Sequence, residues 1–203
     1  MRIKLCIVIL FVTFSQNCFC QNFSKIFFNL DFKDKVWIIS KSNSSFKVKK
    51  ISKHVTDLTN KIYKTNFFNS ENKEQKIDAF RHIYLMYKLS SQLGVEKARR
   101  YGNIYESYNK NIFHKIPNSG YDRAGEWMDK FNNEIGIYLY LKNGEISDEN
   151  IIQEIGYQIK NGNAREIKKD SIGNSLNVDN KIIDKEIWIK NWVNDRVLIQ
   201  SNN

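Results

Sequence analysis

Cysteine is nearly missing from this 203-residue chain, and the three it has, Cys6, Cys18 and Cys20, all lie in the first twenty residues. Those twenty residues read as a removable secretory leader. Arg2 and Lys4 precede an apolar run from Leu5 to Phe14, and Cys18-Phe19-Cys20 supplies a small-x-small end, which places cleavage between Cys20 and Gln21. The apolar run covers ten residues, about half of what a bilayer-spanning helix needs. Neither Cys18 nor Cys20 follows the aliphatic and small residues of a lipoprotein signal. Once cleaved, the chain would hold no cysteine. That excludes a disulfide framework, a thiolate zinc site and a cysteine nucleophile, and leaves the fold to be held by its core.

Proline is equally scarce. The only one, Pro117, falls in the stretch 109–120, which is expected to be a loop. There is no internal repeat and no linker long enough to divide the chain, so residues 21–203 are expected to form one domain. Acidic residues are the minority charge: 32 Lys and Arg face 22 Asp and Glu, a net charge of +10, of which the leader carries two. The excess gathers early, at Lys33, Lys35, Lys41, Lys47, Lys49, Lys50 and Lys53. Two readings of it stand: a solvated face, or contact with an anionic partner through Lys47, Lys49 and Lys50. Nucleic acid is the poorer partner, because no aromatic residues interleave with the basic run as stacking platforms.

What is present is helix periodicity. Phe46 to Tyr63 places Val48, Ile51, Val55, Leu58 and Ile62 at steps of three and four. Before it, Asp34 to Ser40 fits either a short helix or a strand, broken at Ser42–Ser45, and a polar connector is expected at Asn66–Asn72 after it. A long helix is predicted from Glu74 to Gly94, another from Val95 to Tyr108, and a third from Tyr121 to Leu141. A fourth should open at Ser147 and run to about Lys160. Beyond Asn161 the periodicity fades, and the apolar residues from Ile187 to Leu198 fit either a strand pair or a last helix. The fold class is therefore all-α: a single-domain bundle of about five helices with an irregular or short β C-terminal extension. The divisions are 1–20 leader, 21–45 lead-in, 46–165 helical domain and 166–203 extension.

Polar residues interrupt three of these helices. Asp78, Arg81 and His82 sit on the first, with Asp78 and His82 four apart on one face. Glu106 sits on the second, one turn after Gly102. Glu126, Asp129 and Asn133 form a stripe on the third, with Asn132 alongside. If the three stripes meet in the bundle interior, His82, Glu106 and Asp129 offer an imidazole and two carboxylates to a divalent metal ion. Asp78 would then orient the ring, and Arg81, Asn132 and Asn133 would bind or orient substrate. Without metal, His82 is the general acid or base. The alternative needs no chemistry: Asp78 and His82 pair along one helix, Arg81 meets Glu106 or Glu126, and the network fixes helix register. His54 and His114 are expected to be surface residues.

The runs Asp78-Ala79-Phe80-Arg81-His82, Tyr105-Glu106 and Met128-Asp129-Lys130-Phe131-Asn132-Asn133-Glu134-Ile135-Gly136 resemble the motifs of a bacterial domain-of-unknown-function family, number 6973, over roughly residues 46–165. The resemblance implies an all-α fold. It also implies that Asp78, Arg81, His82, Glu106, Asp129 and Asn133 belong to one constellation. It fixes no reaction. Tyr105 and Phe131 stand where relatives often carry histidine, which puts metal binding by this copy in question if those histidines are ligands. Two expectations follow. One is an exported hydrolase-like protein, periplasmic or extracellular, with a polar and in one version metal-assisted site. The other is a non-catalytic envelope or extracellular binding module whose polar cluster is structural.

Overall fold

The computed structural model describes residues 25–65, 67–68, 72–116 and 119–202. The leader assigned to residues 1–20, its cleavage point and Pro117 lie outside the described residues. The rest is a helical bundle with a small sheet at its C-terminal end. The helices are α1 (Phe32–Ser40), α2 (Ser42–Tyr63), α3 (Lys73–Leu93), α4 (Val95–Lys115), α5 (Arg123–Asn143) and α6 (Asp148–Lys160). Strand β1 (Arg165–Ile167), the single turn α7 (Lys185–Trp188) and strand β2 (Leu198–Gln200) follow. Among the described residues no helix is long and apolar enough to cross a membrane.

Helix α3 is the centre. It packs on α2, α4, α5 and α6, most extensively on α5. It can do so because its apolar residues are not confined to one stripe. Ile77, Phe80, Ile83, Tyr84, Met86, Tyr87 and Leu89 are all buried, as expected of a helix that is covered on most sides. Gly94, at φ +85°, ends it in a backbone conformation that side chains resist. The junction of α3 with α5 is close at Gly136, where an added Cβ would lie 2.2 Å from the Ile83 carbonyl oxygen. Only glycine lets the two backbones approach so closely.

Two boundaries differ from the sequence expectation, and one open alternative is decided. Ser42–Ser45 does not break a helix but opens α2; Ser45 turns inward, its hydroxyl 2.9 Å from that of Tyr101. In the lead-in, the stretch open to a short helix or a strand is helical: α1 is held by an ion pair between buried Asp34 and half-exposed Arg100 and by Trp37 edge-on to Tyr101. Helix α4 runs seven residues past Tyr108, so His114 lies in its last turn and not in a loop. The continuation is held by Ile104, Tyr108 and Ile112, which recur every four residues and bury against Leu30 and Ile38. The polar run from Asn109 to Asn111 hid that repeat. At α6 the expectation holds, since the Ser147 hydroxyl accepts from the Asn150 amide as an N-cap.

The fading C-terminal pattern becomes a two-stranded antiparallel sheet with Arg165 opposite Gln200 and Ile167 opposite Leu198. Two strands alone are marginal in water, and side chains from the bundle complete the edge. Asn132 of α5 accepts from the Arg165 amide and donates to its carbonyl, both at 3.0 Å. Gln75 of α3 does the same for Ile167, at 2.9 and 3.0 Å. The Asp122 side chain, almost fully buried, caps α5 through the Gly125 amide at 2.8 Å and accepts from Arg196 at 2.9 Å, tying the extension to the bundle. Gln75→Ala would leave a buried backbone N–H and C=O without partners, and urea denaturation should show a loss of about 3 kcal/mol. An unchanged midpoint would show that the amide clamp does not hold the strand.

Candidate functional site

Asp78, Arg81 and His82 project from α3, Tyr105 and Glu106 from α4, and Asp129 and Asn133 from α5. Two helical facts bring them together. Asp78 and His82 are one turn apart on α3. On α5, Asn133 lies one turn from Asp129 and just short of Gly136, where the α5 backbone closely approaches Ile83 of α3. Small displacements of either backbone would therefore separate the ring from its partners.

The His82 ring is 5 % exposed. Its Nδ1 lies 3.1 Å from Asn133 Oδ1, and its Nε2 lies 3.2 Å from Arg81 Nη2. An amide oxygen only accepts and a guanidinium only donates. The pair therefore selects the tautomer with the proton on Nδ1 and leaves the Nε2 lone pair facing outward. That lone pair meets more acceptors: Asp129 Oδ1 at 3.3 Å and Asp78 Oδ1 at 4.0 Å. Arg81 is hydrogen-bonded to Asp78, but Asp129 Oδ1 is buried and has no donor. Three acceptor atoms thus converge on one point with a single half-exposed guanidinium beside them.

Asp78, His82 and Asp129 each offer one ligand atom, and these atoms all lie within 4.8 Å of one another. Ligands at about 2.1 Å from a tetrahedral ion stand about 3.4 Å apart. The His82–Asp129 separation meets that value and Asp78 needs a small inward shift. One imidazole and two carboxylates suit a divalent ion of intermediate hardness such as Zn²⁺ or Mn²⁺. The donor set differs from the expected one. Asp78 stands where the sequence reading put Glu106, because its position one turn from His82 carries it to the same Nε2.

Glu106 lies deeper, 1 % exposed. Its Oε2 accepts from Asn109 at 3.2 Å and its Oε1 has no donor. Burial, and then the charge of Asp129, push the Glu106 carboxyl up, while burial also raises Asp129 against the opposing pull of His82. Arg81 meets neither Glu106 nor Glu126. It pairs with Asp78, and Glu126 pairs with Lys130 on its own helix at 2.5 Å.

The neighbouring asparagines part company. Asn133 faces His82, whereas Asn132, about 100° further round the helix, clamps β1 as described above and contributes to the sheet. Phe131 lies on the outer surface of α5 under the Arg165 guanidinium, 4.4 Å from its ring centre. Tyr105 belongs to the cluster: its phenol is raised by burial and senses both Arg81 and Asp129. Tyr121 is an addition that no spacing announced. It precedes α5, and burial above all raises its phenol, with smaller opposing effects from the charges of Glu106 and Arg81. The open side is formed by Asp78, Arg81 and Tyr105, each about a third to two-fifths exposed. Behind Asn133 and Lys130 there is only a hollow of about 120 Å³. His54, expected at the surface, is half exposed and bridges to Tyr84 at 3.2 Å and Asp148 at 3.5 Å.

Fold and site together define a mostly helical bundle whose central three helices enclose a carboxylate–imidazole–amide cluster with one open side. The match of a family model over residues 35–163 shows which such bundle it is: the chain belongs to the family described as Domain of unknown function (DUF6973). The match reaches back into α1, eleven residues before the expected start at 46. No curated protein and no solved structure matches the chain.

Proposed function

We propose that this chain is an exported hydrolase with a divalent-cation site formed by Asp78, His82 and Asp129. The observation that carries the reading is the convergence of three acceptor atoms on one point, with the buried Asp129 Oδ1 lacking any donor. A bound cation at that point would polarise a substrate oxygen and supply hydroxide at neutral pH. Asn133 holds the imidazole so that Nε2 faces the open side. Arg81, half exposed, would swing from Asp78 to an anionic group of the substrate. Glu106 stands behind Asp129 as a buried positioning acid. Export rests on the leader-like pattern of residues 1–20.

A second reading draws on Arg81, whose guanidinium reaches both Asp78 and His82. In that reading it already serves as the cation, and the module binds without catalysis. Metal analysis of the purified chain, with melting curves before and after chelation, separates the two. The first reading expects stoichiometric metal and a chelator-sensitive melt that Asp129→Asn abolishes. At a free-metal concentration a hundredfold above Kd the stabilisation lost is about 2.7 kcal/mol. A metal-free preparation whose melt ignores chelator would remove the cation site. For the hydrolase itself, His82→Ala should lower hydrolysis of chromogenic ester and phosphoester probes at least about a hundredfold. A fully active, folded variant would end that assignment.

A further inference from the structure

Helix α1, in the stretch that the sequence left open between a short helix and a strand, has two apolar faces, and among the described residues only the inner one is packed. The inner face of α1 is fixed. Ile38 is buried, Asp34 is ion-paired to Arg100, and Trp37 lies 4.9 Å from the Tyr101 ring centre. The outer face carries Phe32, Val36 and Ile39, spaced four and three, at 82 %, 49 % and 51 % exposure. Phe28, before the turn at residues 29–31 that precedes α1, is 64 % exposed. Lys33 and Lys35 flank this stripe on either side, Lys33 exposed and Lys35 half-buried, its ammonium donating to the Phe28 carbonyl at 3.0 Å. The inner contacts prevent α1 from rolling over to hide it.

We propose that the outer face of α1 docks this chain on an anionic lipid bilayer, lying in the headgroup plane. Charge complementarity is the first reason. Between residues 25 and 50 there are seven lysines and two aspartates, and Asp34 is already matched by Arg100. Apolar residues flanked by lysines are what an interfacial helix requires, because the side chains enter the acyl boundary while the ammonium groups stay at the phosphates. Size is the second reason. The helix is nine residues long, about 13 Å, far too small alone for the roughly 800 Å² per partner of a stable protein interface. A bilayer needs no complementary surface. A second copy is disfavoured because an isologous contact would set Lys33 and Lys35 against their own images. No helix among the described residues can span the membrane, so the attachment is peripheral. This inference is independent of the catalytic reading.

The test is co-sedimentation of residues 21–203, the chain without its leader-like segment, with vesicles of phosphatidylcholine alone or with one-third phosphatidylglycerol. Two variants accompany it: Phe32→Ser with Val36→Ser and Ile39→Ser, and Lys33→Gln with Lys35→Gln. Phe32, Val36, Ile39 and Lys33 face solvent, and half-buried Lys35 gives up one hydrogen bond to the Phe28 carbonyl, so the melt of the apolar variant should be unchanged and that of the lysine variant nearly so. Wild type should bind the anionic vesicles and release them as salt rises. The apolar variant should bind at least about tenfold more weakly, and the lysine variant about fivefold more weakly for each charge removed. An apolar variant that binds as tightly as wild type would place the contact elsewhere in the chain and overturn the proposal. Absence of vesicle binding would overturn it too, as would concentration-dependent dimerisation lost in the apolar variant without any vesicle binding.

Discussion

Replacing Gly136 by Ala should lower stability by about 3 kcal/mol, near the upper end for overpacking a close contact. The methyl group would fall 2.2 Å from the Ile83 carbonyl oxygen and 3.0 Å from Met86 Cβ. A carbonyl inside a helix cannot rotate away, so α3 and α5 must move apart as bodies. Alanine's better helix propensity, worth about 1 kcal/mol, offsets only part of this. For a chain of this size the melting temperature should fall by roughly 10 °C. The displacement would also draw His82 from Asn133, so the folded fraction should lose any chelator sensitivity that wild type shows. Calorimetry of the variant is the check, and wild-type stability would mean that the contact is not close in solution.

Glu166 gives the second large effect, and one opposite in sign to ordinary acid denaturation. It is fully buried in β1, and neither carboxylate oxygen has a donor. Burial pushes it from 4.5 up to about 7, against the pull of Lys76 and Lys169. Lys169 is itself lowered by burial and by Arg196, and raised by Glu74 and Glu166. Between pH 4.5 and 7 the folded chain therefore holds a proton that the unfolded chain has released. Stability is fullest below this window, falls as pH rises through it, and is level above it. The shift corresponds to about 3 kcal/mol. Glu166→Gln cannot ionise. It should be about as stable as wild type at pH 4.5 and more stable by about 2–3 kcal/mol at pH 8, measured by urea denaturation. Parallel pH profiles for the two proteins would contradict the assignment.

Much of the helical frame was legible because periodicity is a local code. Ile51, Val55 and Ile62 recur on one face whatever they pack against, and Ser147 caps α6 through its own neighbours. The misread stretches share a cause. At Ser42–Ser45 and at Asn109–Asn111, residues with weak helix propensity were outweighed by burial of Ser45, Tyr108 and Ile112. The clamps formed by Gln75 and Asn132 could not be read, because each joins residues separated by more than thirty positions.

The same division runs through the candidate site. The spacing of Asp78 and His82 dictated their shared face, and the spacing of Asp129 and Asn133 dictated theirs, because each angle is set within one helix. Which carboxylate completes the set, which of two adjacent asparagines meets the imidazole, and that Tyr121 joins them were decided by how the helices are rotated and how closely they stand. That depends on Gly136 against Ile83, a contact across fifty-three residues of chain. Local sequence fixes the direction of a side chain about its own axis, and only packing between axes fixes what it faces.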